Sequence, residues 1–295
     1  MKKNLILALV MKKTIVLLLT LMLCIGLTAT ANAATITPSK PAGSGTEASP
    51  YLIGTAAELY WFAENYNNKQ ISQYAYAKLT NDIVVNAKVF ENGSLVSNTS
   101  SLTAWTPIGT GNYFRGVFDG DNYTISGLYV NATSGYQGLL GYSIGQIKNL
   151  TIADSYFKTT GGDIGAFVGY GEDASISNCH TLNCIITGRL RVGGIAGSNV
   201  NNARTFTNCT NKSEVICTGS YAGGIVGNSD SYITNCTNYG KISGEVGIGG
   251  IVGYGEAKVT SSNTQSIEDC TNKGIVTASQ SSAGGIIGAA SYSIS

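Results

Sequence analysis

Val192-Gly193-Gly194-Ile195-Ala196-Gly197 is the stretch that decides the fold, because it returns as Ala222-Gly223-Gly224-Ile225-Val226-Gly227, Ile248-Gly249-Gly250-Ile251-Val252-Gly253 and Ala283-Gly284-Gly285-Ile286-Ile287-Gly288. Looser copies stand upstream at Ile164-Gly165-Ala166-Phe167-Val168-Gly169 and Gln137-Gly138-Leu139-Leu140-Gly141. The closing glycines lie 28, 28, 30, 26 and 35 residues apart. A motif that recurs at a period of this size marks a stacked repeat, and the variation in period belongs to loops that leave the strands in register. Helical repeats of similar period need long 3.6-residue periodicity, and a glycine pair in every unit would cost a helix about 1 kcal/mol per glycine. Glycine inside a strand instead marks a tight bend or a close backbone approach.

Two further elements complete each unit. The first reads Ile147-Lys148-Asn149-Leu150, Ile176-Ser177-Asn178-Cys179, Phe206-Thr207-Asn208-Cys209, Ile233-Thr234-Asn235-Cys236 and Ile267-Glu268-Asp269-Cys270. The second reads Ile185-Ile186-Thr187-Gly188, Ile216-Cys217-Thr218-Gly219, Lys241-Ile242-Ser243-Gly244 and Ile275-Val276-Thr277-Ala278. Three short runs in roughly 28 residues fit one coil of an all-β, right-handed parallel β-helix, each strand having a parallel neighbour about 4.8 Å above and below. In a flat strand, residues three apart point to opposite faces. Ile176 and Cys179 therefore both reach the core only if the residue between them turns the chain. Asn149, Asn178, Asn208, Asn235 and Asp269 occupy that place, and Asn and Asp tolerate left-handed backbone best after glycine. The expectation is a column of bends, with stacked asparagines bonding along the axis, beside a core column of Leu150, Cys179, Cys209, Cys236 and Cys270.

Upstream, Phe114–Gly120 with Tyr123–Leu128 reads as an earlier coil and Ala77–Val85 as the first. Ala56 to Tyr66 has Leu59, Phe62 and Ala63 at helical spacing, predicting a short helix that caps the N-terminal end of the sheet. Residues 50–112 then hold the cap and first coil, 113–295 the repeats, and 34–49 a polar linker. Residues 1–33 carry Lys2, Lys3, Lys12 and Lys13, an apolar run from Ile15 to Leu27, and Ala31-Asn32-Ala33. That order predicts a secretory signal peptide cleaved after Ala33, with Met11-Lys12-Lys13 as an alternative start. Without its four lysines the chain has 14 basic and 17 acidic residues, a charge of about −3. This gives no electrostatic footprint for nucleic acid, and no later run is long enough to span a bilayer. The chain stops at Ile294-Ser295, which matches Ile176-Ser177 of a complete unit, so a continuation into a longer protein is expected.

The units resemble the GLUG motif of bacterial surface proteins: Gly138-Leu139-Leu140-Gly141 matches its Gly-Leu-any-Gly pattern, and Gly194-Ile195-Ala196-Gly197 and its equivalents carry Ile for Leu. Gly45–Ile53, Leu59–Ala63, and Trp105–Gly109 before Phe118-Asp119-Gly120 are also similar to the start of such domains. The resemblance runs from about Gly43 onward. It implies a secreted or wall-attached β-helix, adhesin-like and commonly one module of a larger protein. Similar repeats accompany IgA-cleaving metallopeptidases, whose zinc motif needs two histidines; this chain has one, His180.

Candidate chemistry is sparse. The cysteines of the core column, with Leu150 at the same place, read as buried thiols packed as small hydrophobes; disulfides are the alternative in an exported chain. Cys217 aligns in the sequence with Ile186, Ile242 and Val276. No Cys-x-x-Cys pair and a single histidine give no metal, cofactor or triad pattern. Asp119 and Asp121 around Gly120 read as a turn, with calcium as the alternative. Arg189 and Arg191, near Glu214 one coil on, form one weak charged cluster. Tyr221, Tyr239 and Tyr254 are candidates for stacking on sugars. Three functions fit: a non-catalytic surface scaffold binding an unidentified glycan or protein, a polysaccharide-active lyase or hydrolase on the same fold, and a structural spacer.

Overall fold

The computed structural model describes residues 35–200, 205–259 and 266–294. The signal segment with Ala33, the Asn201-Asn202 loop and Ser295 lie outside them. The described residues form a β-solenoid of about seven turns of roughly 29 residues with a single α-helix near its start. Among the described residues every ladder between coils is parallel, and the one antiparallel ladder, Phe90-Glu91 with Ser94-Leu95, is a hairpin inside an excursion.

The first wall of the solenoid stacks Tyr51–Ile53, Tyr76–Leu79, Val117–Asp119, Gln146–Lys148, Ser175–Ser177, Thr205–Thr207, Tyr232–Thr234 and Ile267-Glu268 in register. The stack thus begins at Tyr51, one rung before Ala77. Its inward column is Ala77, Phe118, Ile147, Ile176, Phe206 and Ile233, none more than 2 % exposed. Each large member contributes about 1.5–3 kcal/mol of apolar burial. The chain then turns at Asn149, Asn178, Asn208, Asn235 and Asp269, whose φ angles of 55°, 51°, 56°, 53° and 51° are all left-handed. The turn resets the alternation, so Ile176 and Cys179 are both fully buried. Outside the core the side chains at these bends form a relay: Asn208 donates to Asn178 (3.1 Å), Asn178 to Asn149 (3.0 Å) and Asn149 to Asp119 (3.0 Å).

After the bend the inward column is Ile83, Ile125, Ile152, Thr181, Asn211, Asn238 and Asn272. Isoleucine gives way to asparagine inside the core, and Asn211 and Asn238 are fully buried. Thr181 donates to Asn211 (2.6 Å), Asn211 to Asn238 (2.8 Å) and Asn238 to Asn272 (2.8 Å). Each amide also bonds the backbone two residues on; Asn238 donates to Gly240 O (3.0 Å) and accepts from Gly240 N (3.1 Å). A buried polar column is tolerated because every member is satisfied.

The next wall stacks Val130, Phe157, Ile186, Val215, Ile242 and Val276. Here the register differs from the sequence alignment: Val215 takes the place assigned to Cys217, and Cys217 pairs with Gly188. An offset of two residues preserves the side-chain parity of a strand, so Cys217 is buried all the same, at 2 % exposure.

The hexad forms the last corner. A Cβ on Gly193, Gly223 or Gly249 would lie 1.8–2.0 Å from the carbonyl oxygen three residues on, within the same tight turn. A Cβ on Gly194, Gly224 or Gly250 would lie 2.4–2.5 Å from Cγ of Asn211, Asn238 or Asn272. The second glycine of the pair makes room for the buried asparagine column. The final wall stacks Leu140, Val168, Ala196, Val226, Val252 and Ile287.

The helix Ala56–Asn67 is capped by Thr55, which accepts from Glu58 N (3.2 Å), while the Glu58 carboxylate accepts from Gly54 N (2.8 Å). This reciprocal pair satisfies amides that a helix start leaves open. Leu59, Phe62, Ala63 and Tyr66 are buried against the first coils, Phe62 near Phe118 and Tyr66 near Phe114. Residues 35–49 run alongside without regular structure; Ile36 packs on the core and Ala42 bridges Leu52.

Candidate binding face

The corner before each hexad holds Tyr136, Asp163, Arg191, Tyr221, Gly247 and Ser282, with φ of 59°, 56°, 51°, 73°, 66° and 60°. Left-handed backbone suits glycine and costs a bulky side chain of the order of 1 kcal/mol. Tyrosine nonetheless occupies this corner twice. Strain of this kind is kept where a side chain must be held in a set place.

The place is the outer surface of the last wall. Tyr142, Tyr170, Ser198, Asn228, Tyr254 and Ala289 follow one another there in register. Tyr136 reaches over from its corner to Tyr170, 5.4 Å between ring centroids, and to Tyr142, 6.1 Å. Tyr142 and Tyr170 lie 5.0 Å apart, and Tyr113 sits 4.0 Å from Tyr142. Four rings from the segments around 113, 136, 142 and 170 therefore meet, and Tyr113 and Tyr136 remain 45 % and 47 % exposed. Between the loops 109–113 and 134–137, Tyr113, Tyr136 and Tyr142 line a groove of about 590 Å³, with Tyr170 packed against Tyr136 and Tyr142.

The groove walls are fixed by the fold. Asn67 at the end of the helix donates to Pro107 O (2.9 Å) and accepts from Gly109 N (2.8 Å), and Tyr66 Oη donates to Tyr113 O (2.8 Å). The helix thus positions one wall of the groove as well as covering core. The opposite wall is held by Tyr136 N to Gly162 O (3.1 Å) and by Thr159 Oγ1 donating to Ser134 O (2.5 Å).

Two of the charged side chains near the rings, Glu172 and Arg191, are partnered. Tyr142 Oη donates to the Glu172 carboxylate; burial and that carboxylate push the hydroxyl well above its ordinary pKa, so it stays a neutral donor. Arg191 grips Asp163 with two bonds of 2.7 Å, and Ser198 also donates to Asp163. Arg115 lies over the Tyr113 ring at 5.7 Å. The surface offers aromatic faces, neutral hydrogen-bonding groups and the Arg115 guanidinium, an arrangement suited to a ligand with both apolar and hydroxylated faces.

The residues singled out in the sequence fall elsewhere or fall apart. Arg191 and Glu214 do not converge: Arg191 serves Asp163, and Glu214 pairs with Lys241 (3.1 Å). Asp119 accepts from Asp121 N (2.9 Å) and pairs with Lys148 (3.4 Å), and Asp121 pairs with Lys78 (3.1 Å). Burial opposes the Asp119 charge, but the Asp121 amide, Asn149 and Lys148 outweigh it and hold the carboxyl below its usual range. His180 stands in an outward column with Thr151 and Thr210, and burial and Lys212 lower its pKa. Cys179, Cys184, Cys209, Cys217, Cys236 and Cys270 are all free thiols, and all but Cys270 are buried. Burial pushes the Cys184 and Cys217 thiols up to about 11. Among the described residues no cluster of His, Cys, Asp and Glu is arranged to hold a metal, and no helix is long and apolar enough to cross a membrane.

Of the tyrosines predicted to stack, Tyr221 and Tyr254 come together at 4.7 Å. Tyr239 lies apart from them, between Lys212 and Lys273. Sequence reasoning passed over Tyr113, Tyr136, Tyr142 and Tyr170. A signal was available for part of the set: a tyrosine directly follows the closing glycine of the hexad at Gly141-Tyr142, Gly169-Tyr170 and Gly253-Tyr254.

No family model matches the chain. It is 34 % identical over 143 residues to a protein of Evansella cellulosilytica described as "Putative Gly-rich membrane protein", covering 46 % of this chain and 15 % of that one. It is 30 % identical over 168 residues to the halomucin of Haloquadratum walsbyi, covering 53 % of this chain and 2 % of that one. The chain thus spans a small part of the length of either relative. Among solved structures, a Bacteroides ovatus protein described as "a putative immunoglobulin A1 protease" superposes with a TM-score of 0.53 at 21 % identity, over 85 % of this chain and 86 % of that one. That likeness shows the fold. The names of the relatives are compatible with a surface location.

Proposed function

We propose that the chain is a non-catalytic module of a secreted or cell-surface protein, of the GLUG-repeat kind, that binds glycan through the groove lined by Tyr113, Tyr136 and Tyr142, whose rings Tyr170 supports. The observation that carries the reading is Tyr136: a bulky aromatic residue kept in left-handed backbone, φ 59°, where Gly247 stands in an equivalent corner, with its ring against Tyr142 and Tyr170. Aromatic rings stack on the apolar faces of sugar rings, and the neutral groups around them serve the hydroxyls. The resemblance to adhesin-like surface repeats and the surface-type names of the relatives support the same reading.

The Tyr136→Gly variant tests it. Removing the ring also relieves the backbone, so stability holds or rises by up to about 1 kcal/mol while glycan binding on an array or by calorimetry falls at least tenfold. Unchanged binding in Tyr136→Gly and Tyr142→Ala would refute the groove. Release of reducing or unsaturated sugar from a bound polysaccharide would replace the scaffold reading with an enzymatic one.

A further inference from the structure

The tyrosine groove has a partner farther along the same wall. Tyr254 occupies the register position of Tyr142 and Tyr170, and Tyr221 occupies the corner position of Tyr136. The pair repeats the arrangement at the groove: a left-handed corner tyrosine, φ 73°, leans on a face tyrosine at 4.7 Å. The next coil is shaped to receive it. A Cβ on Gly247 would lie 2.6 Å from Cδ1 of Tyr221, so the corner beyond Tyr221 is emptied where the ring rests. Tyr254 Oη is fixed in turn by a 2.7 Å hydrogen bond with Ser291 Oγ.

Between the two aromatic sets the wall is smooth. The two intervening rungs carry Ser198, fully buried, and the half-buried Asn228. The one long side chain at the intervening corners, Arg191, is tied down to Asp163. From Tyr142 to Tyr254 is four rungs, about 19 Å at the spacing of stacked parallel strands. One rung is close to the advance of one ring in an extended, equatorially linked polysaccharide. A straight sugar chain laid along the solenoid axis would therefore meet rings at both ends and, between them, Asn228 and the Arg191–Asp163 pair to which the buried Ser198 is bonded.

We propose that the two tyrosine sets are subsites of a single track, and that its ligand is a linear β-linked saccharide of at least four rings lying parallel to the solenoid axis. This rests on the groove reading above and adds the length and direction of the ligand. Flat, unbranched chains satisfy it. A branched or single-ring sugar would engage one set alone.

The experiment is calorimetry with cello-oligosaccharides and chito-oligosaccharides from dimer to hexamer, on the full chain and on Tyr221→Gly, Tyr254→Ala and Tyr142→Ala. Gly247 in the equivalent corner shows that the coil accepts glycine there, and circular dichroism checks that each variant is folded. With one series, affinity should climb from dimer to hexamer. Tyr221→Gly and Tyr254→Ala should each weaken the hexamer by about tenfold, the worth of one aromatic stack, and leave binding of the dimer at the groove unchanged. Tyr142→Ala should weaken both. A dimer that binds as tightly as the hexamer, with Tyr221→Gly and Tyr254→Ala silent, would overturn the track and leave the groove standing. Binding of neither series, or capture of a proline-rich peptide in place of sugar, would overturn the groove and the track together.

Discussion

Replacing Asn238 by alanine should be among the most damaging single changes in the solenoid, and its cost follows from the bonds it makes. The amide donates to Gly240 O and Asn272 Oδ1 and accepts from Gly240 N and Asn211 Nδ2, all at 2.8–3.1 Å, in a side chain with no exposed surface. Alanine removes all four bonds and strands two buried donors, the Gly240 amide and one hydrogen of Asn211. At about 1–3 kcal/mol for each orphaned group, the loss is about 2–6 kcal/mol. Water entering the space left by the amide trims the upper end, giving an expected cost of about 2–5 kcal/mol. Asn178 provides the internal comparison. It also bonds to the coils on either side, at 3.0 and 3.1 Å, but on the solvent side, where water replaces what is lost. Asn178→Ala should cost only the left-handed backbone, about 1–2 kcal/mol, and Asn178→Gly less than about 0.5 kcal/mol. Urea titration followed by circular dichroism measures all three. Because each coil contacts only its neighbours, amide exchange in Asn238→Ala should quicken first in the coils next to the lesion. If Asn238→Ala proves no more harmful than Asn178→Ala, the inner column does not have the structural role given to it here.

Gly223→Ala should fail to fold or lose more than about 3 kcal/mol, since its Cβ would meet the Val226 and Ile251 carbonyls at 2.0 and 2.6 Å; an alanine variant as resistant to urea as the parent would contradict this. The native protein should resist a thiol-reactive dye at neutral pH except slowly at the partly exposed Cys270, with all thiols reacting once urea unfolds it. The pH dependence has a definite sign for Cys184 and Cys217: their folded pKa values, about 11, lie above the ordinary 9.0, so their contribution is present below pH 9 and is lost as pH rises from there through 11. Denaturation midpoints across that range, with Cys184→Ser and Cys217→Ser as controls, check it. Asp119 has the opposite sign: its carboxyl is held below the ordinary value of 3.8, so its contribution is present above that pH and is lost as pH falls through the lower folded value. Asp119→Asn should flatten the acid limb of stability, and an unchanged limb would assign acid unfolding to other groups.

The outer and inner asparagines show where sequence reading succeeds and stops. Asn149, Asn178, Asn208 and Asn235 were legible because a local rule demands them: two inward residues three apart require a bend, and asparagine tolerates its φ. Asn211, Asn238 and Asn272 recur as plainly, in Cys209-Thr210-Asn211, Cys236-Thr237-Asn238 and Cys270-Thr271-Asn272. Yet nothing local makes a buried amide acceptable. Its partners are the same residue one coil away, and they exist only once the coils are stacked. Cys217 teaches the same lesson about register, since a shift of two residues leaves the burial pattern untouched and only the neighbouring backbone can choose between the alternatives.

By itself the sequence determined the repeat, the asparagine bends, the glycine corners and the isoleucine and cysteine columns, because each follows from periodicity and backbone sterics within a few residues; it showed three strand runs per coil where stacking forms four walls. The tertiary structure alone decided which tyrosines meet. Tyr113, Tyr136, Tyr142 and Tyr170 lie in three different coils, and Tyr221 and Tyr254 in two more. Stacking converts a separation of nearly thirty residues along the chain into one rung of a sheet, so a binding surface on such a fold is written across coils, where no local reading of the chain can assemble it.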